Sequence, residues 1–314
     1  MPLISVVMPM YNAKPYIETA IKSVLTQTKN DLELIIVDDA STDSSAEVVE
    51  SIKDDRIKLT RMEKNSGSIE AANKALSLAN GKYIARMDAD DIAKPKRFEI
   101  ELDFLDQHQE CVMVGSSAKP FFEGGGRAWQ YPNSFGGCRA RALFSAPLLH
   151  PTIMARGWLF EKISYKEQLV DDYDMMLQAL NHGELYSILQ ILLEYRIHKK
   201  SLSHSNVEKQ FNASNALHTK ELAKIGNFSS QETILHTRIA RYENFGSLED
   251  VYNHLEKIVK LGSEKYAPKQ DLQEICDFFY AEAFLARSEP LKNYRGKIKP
   301  ILLARHIKKV LIKQ

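Results

Sequence analysis

Leu32-Glu33-Leu34-Ile35-Ile36-Val37-Asp38-Asp39-Ala40-Ser41-Thr42-Asp43 is an apolar, β-branched run that ends on two carboxylates and a turn. Such a run reads as a buried strand, and the apolar spacing of Ala46, Val49 and Ile52 after the turn reads as a helix. The alternation continues on both sides. Upstream, Ile4 to Met8 reads as a strand and Ile17, Ile21, Val24 and Leu25 as a helical stripe. Downstream come a more polar strand at Arg56 to Arg61, a stripe through Ile69, Ala72, Leu76 and Ala79 closed by Gly81, and a strand at Lys82 to Met87. Pro95 then opens a helix through Phe98, Leu102 and Leu105, and Cys111 to Val114 reads as a further strand.

Strands alternating with helices require right-handed crossovers, hence an α/β fold: a mostly parallel sheet covered by helices on both faces. Past that core the pattern thins. Lys119 to Ser134, centred on Gly124-Gly125-Gly126, reads as a loop, followed by a helix near Arg139 to Phe144 and a short strand at Thr152 to Met154. Asp174 to Leu180 reads as a helix and Ile188 to Ile197 as an apolar segment. From about Val207 onward helical periodicity dominates, as in Val251, Leu255, Ile258 and Val259. The expected organisation is a domain over 1–205 and a C-terminal helical region over 206–314.

The bulk numbers exclude more than they assign. The 314 residues carry a net charge of only +1, so no overall field favours nucleic acid. That average hides a basic tail: residues after Glu289 include Lys292, Arg295, Lys297, Lys299, Arg305, Lys308, Lys309 and Lys313 and no acid, leaving the remainder near −7. In 292–314 an imperfect amphipathic pattern is open to two readings, a solvated helix or docking on an anionic membrane surface. Three well-separated cysteines suit reduced thiols in the cytoplasm, and no run approaches the roughly 20 apolar residues of a membrane span.

In open α/β sheets ligands bind outside the carboxyl ends of the strands, so the strand ends carry the functional reading. The first strand ends in Pro9-Met10-Tyr11-Asn12, where Tyr11 either stacks on a planar base or plugs a helix–sheet seam. The second delivers Asp38 and Asp39 before the turn. Ser41 or Thr42 is expected to cap the next helix, with Asp43 in its first turn. The fourth ends in Met87-Asp88-Ala89-Asp90-Asp91. Like charges so close are costly to desolvate, but they suit Mg²⁺ or Mn²⁺, which takes carboxylate oxygens together with substrate phosphates. A solvated loop is the competing reading. Neither a dinucleotide fingerprint nor a glycine-rich phosphate loop is present, so phosphate binding is expected to run through a metal, with Gly67 adding backbone donors. A second acidic cluster, Asp171-Asp172-Tyr173-Asp174, starts a helix, and Arg196-Ile197-His198 follows an apolar run.

Taken in order, Ser5 to Asn12, Ile35 to Asp43, Asn65-Ser66-Gly67, Tyr83 to Asp91, His150-Pro151-Thr152, Asp171-Asp172-Tyr173 and Tyr195 to His198 resemble the bacterial family-2 glycosyltransferases of the GT-A fold. The similarity spans roughly Ile4 to Ser203 and is strongest to enzymes that extend lipooligosaccharide, capsule or other surface glycans. It implies a UDP-sugar donor, a glycan or glycolipid acceptor, Mn²⁺ or Mg²⁺, and work in the cytoplasm or on the inner face of its membrane. It implies that Pro9, Tyr11, Asp38 and Asp39 hold the nucleotide and that Asp88 faces the ribose or sugar. Asp90 and His198 would hold the metal, with Asp88 a further candidate ligand and Asp91 a weaker one, and Asp172 would be the catalytic base. Two positions depart from the pattern: Asp171 stands where Glu is commoner, and Ala72 where many relatives carry Arg. Lys74 or Arg86 are candidates to replace that cation. A non-catalytic sugar-binding relative remains a competing class. A sugar nucleotidyltransferase would need a glycine-rich loop that Pro9 to Asn12 does not supply.

Overall fold

The computed structural model describes residues 2–121, 126–166, 169–197, 207–243 and 245–287. Within them eight strands form one sheet: β1 (Ile4–Met10), β2 (Leu32–Asp38), β3 (Ile57–Arg61), β4 (Tyr83–Arg86), β5 (Ile92–Ala93), β6 (Cys111–Phe121), β7 (Met154–Arg156) and β8 (Glu184–Arg196). Their order is β3-β2-β1-β4-β7-β6-β8-β5. Parallel pairing joins β1 to β2 and β4, β2 to β3, and β6 to β8; β7 and β5 run against their neighbours. The carboxyl ends of β1, β2, β4, β6 and β8 therefore lie along one edge of the sheet.

Alternation along the strands explains why helices cover both faces. Val6 and Met8 of β1, with Leu34 and Ile36 of β2, pack in one cluster with Ile17 and Ile21 of α1 (Ile17–Leu25) and Phe98 of α4 (Arg97–Gln107). Their neighbours Val7, Ile35 and Val37 pack on the other face with Ala71 and Ala75 of α3 (Ser68–Leu78). Both faces are buried, so apart from the paired Ser5 and Glu33 and the terminal Asp38 these strands are apolar, as parallel strands buried on two sides tend to be.

Several local expectations change. Strand β6 continues to Phe121, so Lys119 to Phe121 is sheet rather than loop, and Trp129 bridges back to it at Ala118. The segment expected as a strand at Thr152 is a 3₁₀ turn over His150–Thr152, with β7 following. Helix α2 is Ser45–Ser51, and Ser41 and Thr42 cap nothing. Instead Asp43 accepts from the Ser45 backbone N–H at 2.9 Å. Asp171 already lies in the first turn of α6 (Asp171–Ala179).

The chain divides into two compact units, one of 1–135 with 146–205 and one of 136–145 with 206–314. The second is built from α7 (Val207–Ile225), α8 (Ser230–Arg241), α9 (Leu248–Gly262) and α10 (Lys269–Arg287). Residues of the 136–145 excursion, Ala140, Leu143 and Phe144, are buried in that helical core with Leu222, Ile258 and Phe279. Most of α5 (Phe135–Ala142) thus belongs to a unit whose other helices come 60 residues later. No described helix is long and apolar enough to cross a membrane, and the 292–314 tail lies outside the described residues.

Candidate active site

The nucleotide end of the edge is a set of loops tied together by short polar side chains. Asn12 follows β1 with φ 50°, in the left-handed region that Asn tolerates better than most residues. Its side-chain oxygen accepts from the Thr42 backbone N–H at 2.8 Å, and its own N–H donates to Ser41 Oγ at 2.9 Å. Asp38 is buried and accepts from the Ser41 backbone N–H at 3.1 Å. Asp39, equally buried, accepts from the backbone N–H groups of Ser66 at 2.7 Å and Gly67 at 2.8 Å, one on each carboxylate oxygen. Gly67 holds φ +98°, which a side chain would strain, and so turns its N–H toward Asp39. Asp38 thus braces its own turn, and Asp39 ties that turn to the loop before α3. Each oxygen of Asp39 still has a second lone pair to offer a ligand. Pro9 lies within β1, and Tyr11, just beyond it, is 49% exposed and so free to stack.

The acid cluster beyond β4 is built differently. One carboxylate oxygen from each of Asp88, Asp90 and Asp91 lies within 4.8 Å of the other two. Asp91 is 1% exposed; one oxygen accepts from the Arg196 backbone N–H at 2.8 Å, and the other is buried without a partner. Burial, then the charges of Asp88 and Asp90, push its pKa up to about 9. A donor set of clustered carboxylates with one orphaned buried oxygen fits a hard divalent cation.

Arg196 closes this turn from β8. Its Nε donates to the Asp90 carbonyl at 2.7 Å, and its guanidinium lies between the rings of Tyr16 (4.6 Å) and Phe121 (4.2 Å). Beneath the turn, buried Arg97 donates to the Arg86 carbonyl at 2.9 Å and pairs with Glu101 at 3.0 Å. Those two contacts fix the end of β4 from below.

Arg86 links the cluster to α6. Its guanidinium meets Asp88 at 2.6 Å and donates to the Met87 carbonyl. Burial opposes its charge, but Asp88, Tyr165 and Asp171 outweigh that and raise its pKa. Tyr165 Oη lies 2.7 Å from His150 Nε2, and burial with Arg86 pushes His150 down to about 3, so its ring is neutral. Asn73 holds Tyr165 at both backbone groups, accepting from its N–H at 3.1 Å and donating to its carbonyl at 3.0 Å. Arg86 is thus committed to the buried side of the cluster.

Asp171 and Asp172 face the same charges. Burial raises the pKa of Asp171, and Asp88 adds to the rise while Arg86 opposes it. Asp172 is pushed up to about 6, by burial first and then by Asp171, while its Oδ1 accepts from the Tyr173 N–H at 2.7 Å. A carboxyl poised near neutrality is what a general base requires.

The structure therefore brings Asp88, Asp90, Asp91, Asp171 and Asp172 into one electrostatic neighbourhood, with Tyr11, Asp38 and Asp39 on the adjacent strand ends. His198 lies outside the described residues. Sequence reading missed Tyr165 and the clamp made by Arg196; the only local signal for the latter was the cation directly before Ile197 and His198.

Residues 5–168 match the model of glycosyl transferase family 2. An uncharacterised glycosyltransferase of Methanocaldococcus jannaschii is 32% identical over 219 residues, covering 67% of this chain and 76% of the relative. Among solved structures, S. aureus TarS in complex with UDP-GlcNAc superposes with TM-score 0.62 at 19% identity, over 94% of this chain and 92% of that one. A Pyrobaculum calidifontis mannosyltransferase in complex with GDP-Man and Mn²⁺ gives 0.59 at 18% identity, over 100% and 88%. The first unit carries the GT-A-type sheet, and the chain belongs to glycosyl transferase family 2.

Proposed function

We propose that the chain is an inverting, divalent-cation-dependent enzyme that moves a hexose or N-acetylhexosamine from a UDP-sugar to a hydroxyl of a growing surface glycan. The observation that carries this reading is Asp172, a half-buried carboxyl on the first turn of a helix, pushed up to about 6 by its withdrawal from solvent and by the charges of Asp171 and Asp88. Asp172 takes the proton of the acceptor hydroxyl as that oxygen attacks the anomeric carbon opposite the diphosphate, so an α-linked donor gives a β-glycoside. A positioned base of this kind contributes ~10²–10⁴-fold. Tyr11 and Asp39 hold the uracil, with Pro9 and Asp38 shaping the same pocket, and Asp88 faces the donor sugar. Asp90 and His198 hold Mn²⁺ or Mg²⁺, with Asp88 and the orphaned oxygen of Asp91 alongside. When bound, the cation offsets negative charge on the leaving diphosphate.

The acceptor is a lipooligosaccharide, capsule or lipid-linked oligosaccharide, and 292–314 docks the enzyme on the anionic inner surface of the cytoplasmic membrane. The TarS complex supports the uridine donor and the mannosyltransferase complex supports the cation; the latter also makes GDP-mannose the donor to test against. The test is a panel of UDP- and GDP-sugars assayed for nucleotide release with Mn²⁺, Mg²⁺ or chelator. UDP release with one UDP-sugar, lost on chelation, is expected. Binding of the same sugar nucleotides with no release under any metal would instead identify a sugar-binding relative.

A further inference from the structure

The chain has two tryptophans, both exposed, and the sheet separates them. Trp158, 44% exposed, follows β7, whose last residue Arg156 pairs with Tyr83 at the start of β4. It therefore sits at the edge away from the acid cluster. Trp129, 37% exposed, sits at the other.

Trp129 is fixed there by its backbone and its ring. Its N–H donates to the Ala118 carbonyl at 2.8 Å, and its carbonyl accepts from the Ala118 N–H at 3.2 Å, near the carboxyl end of β6. Its ring lies 5.0 Å from that of Tyr195, tilted by 50°. Tyr195 precedes Arg196, whose N–H is bound to Asp91, and the phenol is pushed up by burial and then by Asp88, Asp91 and Asp90. One ring thus separates Trp129 from the acid cluster. In the sheet, β6 and β8 lie on the far side of β4 from β1 and β2, which end in Tyr11 and Asp39. The indole is therefore across the acid cluster from the nucleotide strands.

A partly exposed indole, held by its backbone and packed at a tilt against one ring, is suited to stacking, and it offers a large apolar area for the loss of only two torsions. The matching face of a carbohydrate is the patch of axial C–H bonds on a pyranose ring. In a single displacement the attacking oxygen enters opposite the leaving nucleotide, which is the side Trp129 occupies. We propose that Trp129, backed by Tyr195, is an acceptor subsite that stacks a pyranose ring of the glycan being extended. This rests on the glycosyltransferase reading above and adds a specificity-determining residue to it.

The test labels the full chain with 5-fluorotryptophan, which gives two ¹⁹F resonances assigned with Trp158→Phe. With UDP and Mg²⁺ present, methyl β-D-glucopyranoside, methyl β-D-galactopyranoside, cellobiose and lactose are titrated in turn. At least one should move the Trp129 line saturably while the Trp158 line stays. If no saccharide moves the Trp129 line, or both lines move together, the platform is refuted. In turnover with an accepted saccharide, Trp129→Ala should raise acceptor KM about 10- to 100-fold, as loss of an aromatic anchor does. UDP release to water should be unchanged, and Trp129→Phe should recover most of the loss. An unchanged acceptor KM, or a parallel fall in release to water, overturns the assignment. Failure of the glycosyltransferase reading looks different, since the wild-type chain would then release no nucleotide from any donor.

Discussion

In the first unit Asp88, Asp90, Asp91, Asp171 and Asp172 gather like charge in one neighbourhood; in the second, His218, His236 and His254 gather neutral rings. The histidines are all buried. His236 Nδ1 meets His254 Nε2 at 3.1 Å and its Nε2 donates to the Leu143 carbonyl at 2.8 Å, while His218 Nε2 donates to the Phe144 carbonyl at 2.9 Å. His254 Nδ1 is buried without a partner, but the rings are neutral, so what it lacks is a single donor rather than a counter-charge. Carboxylates held close, one with an orphaned buried oxygen, are left with a cost that a cation removes. Ionisable groups withdrawn from solvent are common to both clusters, and like charge that Arg86, paired with Asp88, relieves only in part is what marks a site.

The contrast breaks most sharply at Asp172. Asp172→Asn should lower kcat by about 10²–10⁴-fold, the usual worth of a positioned base, with UDP affinity largely intact by calorimetry. A variant that keeps full turnover would remove the base from the acid cluster altogether. Next in size is the cation. Saturating Mn²⁺ at a hundred times its Kd should stabilise the wild-type protein by about 2.7 kcal/mol, read as a rise in Tm. Asp90→Ala should abolish that rise. If Asp90→Ala instead responds to Mn²⁺ as the wild type does, the relief of charge comes from elsewhere.

Legibility in the sequence follows the same division. Strand ends carrying acids could be read because apolar runs and the cost of unpaired charge are both local. The ties of Asp39 to Ser66 and Gly67, nearly 30 positions on, could not, nor could the hub of Arg86, His150 and Tyr165, which joins segments more than 60 positions apart. Ser41 and Thr42 were misread as caps because the side chains that engage them, Asp38 and Asn12, include one from another strand end. Strand β6 outran its expected length because Gly115, Ser116 and Ser117 interrupt the apolar pattern although all three are buried. The three histidines each look solitary in sequence, and only the packing of α7, α8 and α9 makes them a cluster.

Acid should sharpen the comparison from the other side. Burial pushes His218 and His254 down to about 4 and lowers His236 as well, so the folded unit binds fewer protons than the unfolded chain. Their contribution is complete above the unfolded value near 6.5 and is lost as pH falls toward 4. The loss is about 1.4 kcal/mol per pH unit for each group titrating. Hydrogen-exchange protection across 207–262, taken relative to the intrinsic rate at each pH, should fall over this window, less steeply in His254→Gln. Protection that is flat from pH 7 to 4.5 would mean that the rings already carry charge in the folded state.

The smallest expected effect tests what Asp171 does to its neighbour. Asp172 is raised to about 6 by burial first and by Asp171 second. As a base it works only when deprotonated, so kcat/KM should climb from pH 5 and level off above 7, with an apparent pKa near 6. Replacing Asp171 with Asn removes the like charge and leaves the burial, so this acid limb should move to lower pH while staying above the ordinary carboxylate range. The direction is diagnostic because a merely structural role for Asp171 would lower the plateau without moving the limb. A limb and plateau both unmoved would mean that Asp171 sheds its proton only after Asp172, and that burial alone sets the base.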